Sequence, residues 1–125
     1  MIIVESSVLI ALLMAGDALH ERAKEAISKL AEPPTIPGSV LMETATALFR
    51  STHDSDFVAK KVRELTQYGS LLSAPQEMLQ DAVAHYQLHH TKLSLVDCEL
   101  VQWHKAGADI LTFDQELQKH LQARG

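Results

Sequence analysis

Three β-branched residues in succession, Ile2, Ile3 and Val4, lie at the start of the sequence, and the run stops at an acid, Glu5. A run apolar at every position has no face to offer water, so it reads as a strand covered on both sides, as in a parallel sheet. Parallel strands require crossovers, usually helices. The residues after Val4 supply the first of them. The polar triplet Glu5, Ser6, Ser7 leads into Val8–Leu13, which suits a strand-to-helix turn with a serine as N-cap.

The same alternation recurs along the chain. Asp17 opens a helical stretch with Leu19, Ala23, Ala26, Ile27 and Leu30 on one face, and Pro33 and Pro34 end it. Thr35 and Ile36 read as a short strand, followed by a helix from Val40 to Arg50. Asp54 or Ser55 caps the next helix, marked by Val58, Val62 and Leu65 and stopped by Gly69. Leu71 and Leu72 suit another strand, Pro75 starts a helix carrying Met78, Leu79, Ala82 and Tyr86, and His89 to Lys92 read as a polar connection. Ser94 caps a helix that reaches Ala106, with Gly107 as its stop. Ile110 to Phe113 form the second clear strand, after which Asp114 caps a helix bearing Leu117 and Leu121. The expectation is an α/β, three-layer fold with a mostly parallel central sheet of four to five strands flanked by helices.

With 125 residues, 46% of them apolar, the chain can bury one core unaided, so residues 1–125 are expected to form a single domain. Cys98 is the only cysteine, which excludes an intrachain disulfide and multi-cysteine zinc sites. The longest apolar stretch, Val8 to Ala15, falls short of the roughly 20 residues that span a bilayer, and no basic region precedes Ile2, so neither a membrane span nor a secretory signal is expected and the location is read as cytoplasmic. A net charge of −5 is the wrong sign for coating nucleic acid through a basic face. Carboxylates gathered around divalent cations would reverse that sign locally and attract phosphate.

The acids are placed to do this. In open parallel sheets the functional crevice lies beyond the carboxyl ends of the strands. Glu5 and Asp114 each follow an apolar strand and share that crevice if the two strands are neighbours. Glu43, rotated by about 60° from Val40 and about 40° from Ala47, flanks its helix's buried face. Asp97 lies in the first turn of the Ser94 helix. Crowded carboxylates repel one another and have raised pKa values without metal, and hard oxygen donors suit Mg²⁺ or Mn²⁺. Taken singly, each acid has an ordinary explanation: Ser94 and Asp97 fit a capping box, Asp114 an N-cap, and Glu43 a solvated helix position. Glu5 is harder to place, because closing a buried strand with a charge is costly. The four together point to chemistry.

At these residues the chain resembles the PIN-domain ribonucleases, and the VapC-type toxins among them. The opening MIIVESSVLIALL is similar to that family's first strand and turn, IPGSVLMETATALFR to its second acidic motif, and LSLVDCELVQWHKAGADILTFDQEL to its third and fourth. The resemblance covers essentially the whole chain. It implies metal-binding, catalytic acids at Glu5, Glu43, Asp97 and Asp114, with Ser6 and Thr112 as supporting hydroxyls and Glu116 as a possible extra ligand. It also implies a divalent-metal-dependent endoribonuclease using Mg²⁺ or Mn²⁺, RNA as substrate, a cognate antitoxin and a homodimer. The family's first acid is ordinarily aspartate; here it is Glu5. An added methylene moves the carboxylate by about 1.5 Å, and misplacement on the order of 1 Å can cost roughly 10²-fold in rate. The alternative is therefore a catalytically weakened PIN-fold module that binds an antitoxin or RNA.

Other readings are weaker. His85 and His89, spaced i,i+4 on a helix, can share a metal, but no glutamate follows His85 to make a zincin motif. Arg50, Lys61, Arg63 and Lys92 read as solvated charges before RNA contacts, and Trp103 and Phe113 as core before base-stacking platforms. A phospho-accepting receiver domain would need an aspartate after a middle strand and a lysine after the last, and Leu71-Leu72 is followed by Ser73 and Ala74.

Overall fold

The computed structural model describes residues 1–90 and 92–123. Among these residues four short strands, β1 (Ile2–Val4), β2 (Thr35–Pro37), β3 (Ser70–Leu72) and β4 (Asp109–Leu111), are interspersed with seven helices: α1 (Ser6–Leu13), α2 (His20–Ser28), α3 (Gly38–Thr52), α4 (Ser55–Tyr68), α5 (Gln76–His89), α6 (Leu95–Lys105) and α7 (Gln115–Ala123). The strands form one sheet in the order β3-β2-β1-β4. Every pairing is parallel, as the continuous apolar run of β1 requires. β1 is central, and Ile3 and Val4 are fully buried. The outer strand β3 exposes more than half of Leu71.

Helices pack on this sheet through Val8, Leu9, Val40, Leu65, Leu100 and Leu117, which join β1 and Ile36 in one core. Gly69 allows β3 to approach β2: a Cβ there would stand 2.9 Å from the Pro34 carbonyl oxygen and 3.1 Å from Ile36 Cδ1. Gly107 ends α6 with φ 108°, the left-handed stop that glycine adopts freely. No helix among the described residues is long and apolar enough to cross a membrane.

Three local expectations need correction. Neither serine of the first turn caps α1: the N-cap position is Glu5, with no side-chain cap bond, because Ser6 and Ser7 turn their hydroxyls toward the Glu5 carboxylate instead. The last strand ends at Leu111, not Phe113. There the Asp114 N–H donates to Thr112 Oγ1 and the Phe113 N–H to Ser7 Oγ, so the backbone leaves the ladder for side-chain partners. His89 belongs to α5 rather than to a polar connection.

Candidate active site

Because β1 and β4 are neighbours, with Val4 opposite Leu111, the residues beyond their ends emerge side by side. The Glu5 N–H donates to the Leu111 carbonyl at 2.9 Å, extending the ladder by one bond. Glu5 and Asp114 thus lie at one end of the sheet. The other two acids arrive on helices: Glu43 from the second turn of α3, Asp97 from the first turn of α6.

Glu5 is only 4% exposed, yet it is well supplied with donors. Ser7 Oγ and Thr112 Oγ1 each donate to its Oε1 at 2.5 Å, and Ser6 Oγ to its Oε2 at 2.9 Å. Ser7 sits between the two strand ends, since its Oγ also accepts the Phe113 N–H at 3.0 Å. These three hydroxyls make the burial of a carboxylate tolerable.

Ser6 bridges two acids. Its Oγ lies 2.9 Å from Glu5 Oε2 and 2.6 Å from Glu43 Oε1, but a hydroxyl carries one proton. The second contact needs another proton or a cation. In keeping with this, burial raises the Glu43 pKa, opposed by the Ser6 hydrogen bond and reinforced by the charges of Glu5 and Asp114. Asp97 behaves likewise: burial lifts it from the usual 3.8 to about 6 against the Ser94 hydrogen bonds, with Glu5 and Glu43 adding repulsion. Each of the four acids therefore feels, or is felt by, others of the set.

The ordinary roles are present as well. Asp97 Oδ2 accepts the Ser94 N–H while Ser94 Oγ accepts the Asp97 N–H, a complete capping box. Asp114 Oδ1 accepts the Leu117 N–H at 3.1 Å and caps α7. Each cap uses one carboxylate oxygen. Glu116 faces Lys119 across 3.8 Å on α7.

Residues not foreseen hold the array. Glu99, buried inside α6, accepts from Ser39 Oγ at 2.7 Å and from Trp103 Nε1 at 3.0 Å. Ser39 is one turn before Glu43 and Glu99 two residues after Asp97, so this bond ties together the helices that carry both acids. An acid amid Cys98, Leu100 and Val101 was the available sign, but sequence alone names no partner for it. Ser7 was visible only as a possible cap.

Hard oxygen donors, two of them with raised pKa values, fit a divalent cation of the Mg²⁺ or Mn²⁺ type. The array is loose. Among the described residues the one group of three or more His, Cys, Asp or Glu whose ligand atoms all lie within 4.8 Å of one another is a different set, His85, His89 and His120. A loose carboxylate array suits an ion that keeps several waters.

Against known proteins, the model of the PIN domain matches residues 2–121. Among solved structures the chain is similar to VapC20 of Mycobacterium tuberculosis, a sarcin-ricin loop cleaving toxin, with a TM-score of 0.81 and 26% identity over 94% of this chain and 93% of that one. No curated protein matches in sequence.

Proposed function

The chain belongs to the PIN-domain family, and from that premise we propose that it is a divalent-metal-dependent endoribonuclease, the toxin of a toxin-antitoxin pair, acting through Glu5, Glu43, Asp97 and Asp114. The observation that carries this reading is electrostatic. Glu5 and Asp114, which follow the neighbouring strands β1 and β4, and Glu43 and Asp97, carried by α3 and α6, lie near enough to act on one another: burial first, then repulsion from others of the set, raises Glu43 and Asp97. A divalent cation held among them would relieve both that repulsion and the cost of burying the charges.

Asp97 and Asp114 each have an oxygen beyond the one used for capping, and these two, with Glu5, would hold Mg²⁺ or Mn²⁺; Glu43 would orient the attacking water. Bound there, the ion supplies charge neutralisation at the scissile phosphate and a lowered pKa for water. The chain's own contribution is placement. Ser6 keeps Glu5 and Glu43 in contact, Thr112 and Ser7 hold Glu5 against the β4 turn, and the capping box fixes Asp97 at the start of α6. In-line attack on phosphorus would leave 5′-phosphate and 3′-hydroxyl ends. Residues 1–125 would act as one unit, in the cytoplasm where RNA is met, as a homodimer silenced by an antitoxin peptide over the acids. The structural resemblance to a toxin makes the sarcin-ricin loop the first RNA to try.

The test is cleavage of that hairpin and of a mixed RNA pool with Mg²⁺, Mn²⁺ or chelator, alongside Asp97→Asn. Cutting that needs metal and is lost in the variant is the expected result; a folded protein that cuts neither RNA under either metal refutes the enzyme. A second reading, a weakened module that binds without cutting, is favoured by one feature: both Glu5 oxygens already accept hydroxyl hydrogen bonds. It predicts that Glu5→Asp gains cleavage that the parent lacks.

A further inference from the structure

We propose that His85, His89 and His120 form a second metal site, built for a borderline-soft cation such as Zn²⁺ and distinct from the carboxylates, that clamps α7 to α5. His85 and His89 stand one turn apart on α5, and α7 brings His120 to the same place. One nitrogen from each ring lies within 4.8 Å of the others. The ring centroids are 4.5 Å apart for His85–His89, 4.8 Å for His89–His120 and 5.8 Å for His85–His120.

Imidazole nitrogens at about 2.0–2.1 Å from a tetrahedral Zn²⁺ stand about 3.4 Å from one another. The three rings therefore need to close by no more than about 1.4 Å, a small side-chain adjustment. One nitrogen of the cluster lacks a partner: His85 Nε2 is buried and has no hydrogen-bond partner among the described residues. A buried nitrogen that neither donates nor accepts is an unusual expense, and a metal removes it. All three rings are half-buried, which shields the site yet leaves a path for an ion.

Coordination needs neutral imidazole. Burial, then the neighbouring His89, Lys105 and His120, lower the His85 pKa. The donor set separates this site from the acids. Three nitrogens favour Zn²⁺, Ni²⁺ or Co²⁺ over Mg²⁺, whereas carboxylates favour Mg²⁺ or Mn²⁺. Three protein ligands leave a fourth position for water. The clamp lies on the helix that Asp114 caps, so an ion at His120 would steady the element that begins beside the carboxylates.

Co²⁺, whose visible bands report tetrahedral nitrogen coordination, is titrated into chelator-treated full-length protein, and Zn²⁺ is then used to displace it. One equivalent bound in the presence of excess Mg²⁺ is expected. His120→Gln and His89→Gln, each checked for folding by circular dichroism, should each weaken binding by about 10-fold or more, and Asp97→Asn should leave it unchanged. Two folded His variants that bind as tightly as the parent would overturn the site. So would no visible Co²⁺ bands at all, or bands lost only in Asp97→Asn.

Discussion

Ser6 is where the chemistry is most sharply posed, since one hydroxyl proton serves two carboxylates. Asp97 shares the problem and offers the cleanest tests. Asp97→Asn keeps the side-chain shape and an acceptor for the Ser94 N–H, so the variant should fold, with stability within about 1 kcal/mol of the parent. Its RNA cleavage should fall by about 10²-fold or more. Without divalent metal, Asp97 titrates near 6 in the folded chain and near 3.8 when unfolded, so between those values the folded state binds more protons. Stability must then fall as pH rises through that window. Thermal unfolding in chelator should lose roughly 1–2 kcal/mol between pH 4.5 and 7, after allowance for solvent screening, and Asp97→Asn should flatten that slope. A parent slope identical to the variant's would refute the assignment.

At the scale of elements, one contact joins the helices that carry two of the acids and another seats the outer strand. The Ser39–Glu99 hydrogen bond joins α3 to α6. Removing the donor leaves a buried carboxylate oxygen short of a partner, so Ser39→Ala should lower unfolding stability by about 1–3 kcal/mol. Cleavage should drop with it while the secondary structure remains, because Glu43 and Asp97 lose their common tether. Circular dichroism with parallel urea melts and rate measurements separates the two effects. Gly69 controls the other contact. A methyl group there meets the Pro34 carbonyl at 2.9 Å, and backbone yields poorly. Gly69→Ala should destabilise the β2–β3 pairing, by on the order of 1–3 kcal/mol, as urea denaturation would read.

For the molecule as a whole, the net charge is −5, and under the proposed function a divalent cation held by the acids beyond the sheet would add to its stability. A cation that binds the folded state alone stabilises it by about 2.7 kcal/mol at 100 times its Kd. Mn²⁺ should therefore raise the unfolding temperature of the parent and much less that of Asp97→Asn. An equal rise in both would place the ion elsewhere. The His85, His89 and His120 cluster supplies an internal contrast, since its nitrogen donors should respond to Zn²⁺ and ignore Mg²⁺.

Much of this architecture was legible in the sequence because it rests on local physics. Ile2–Val4 had to be a covered strand, Asp54 capped α4, Ser94 and Asp97 formed their box, and Gly107 stopped α6, each through interactions within a few residues. The alternation of strand and helix then implied a parallel sheet and put acids at strand ends. What lay beyond reach were pairings across long separations. That β1 lies beside β4, that Ser7 turns from helix cap to ligand of Glu5 and Phe113, and that Glu99 meets Ser39 are outcomes of packing between residues up to 107 positions apart. His120 shows the same limit: His85 and His89 announced themselves by one helical turn, but their third partner came from another helix. Periodicity and capping act along the chain and can be read from it, whereas the partner of a buried polar group is decided only when distant elements compete for the same space.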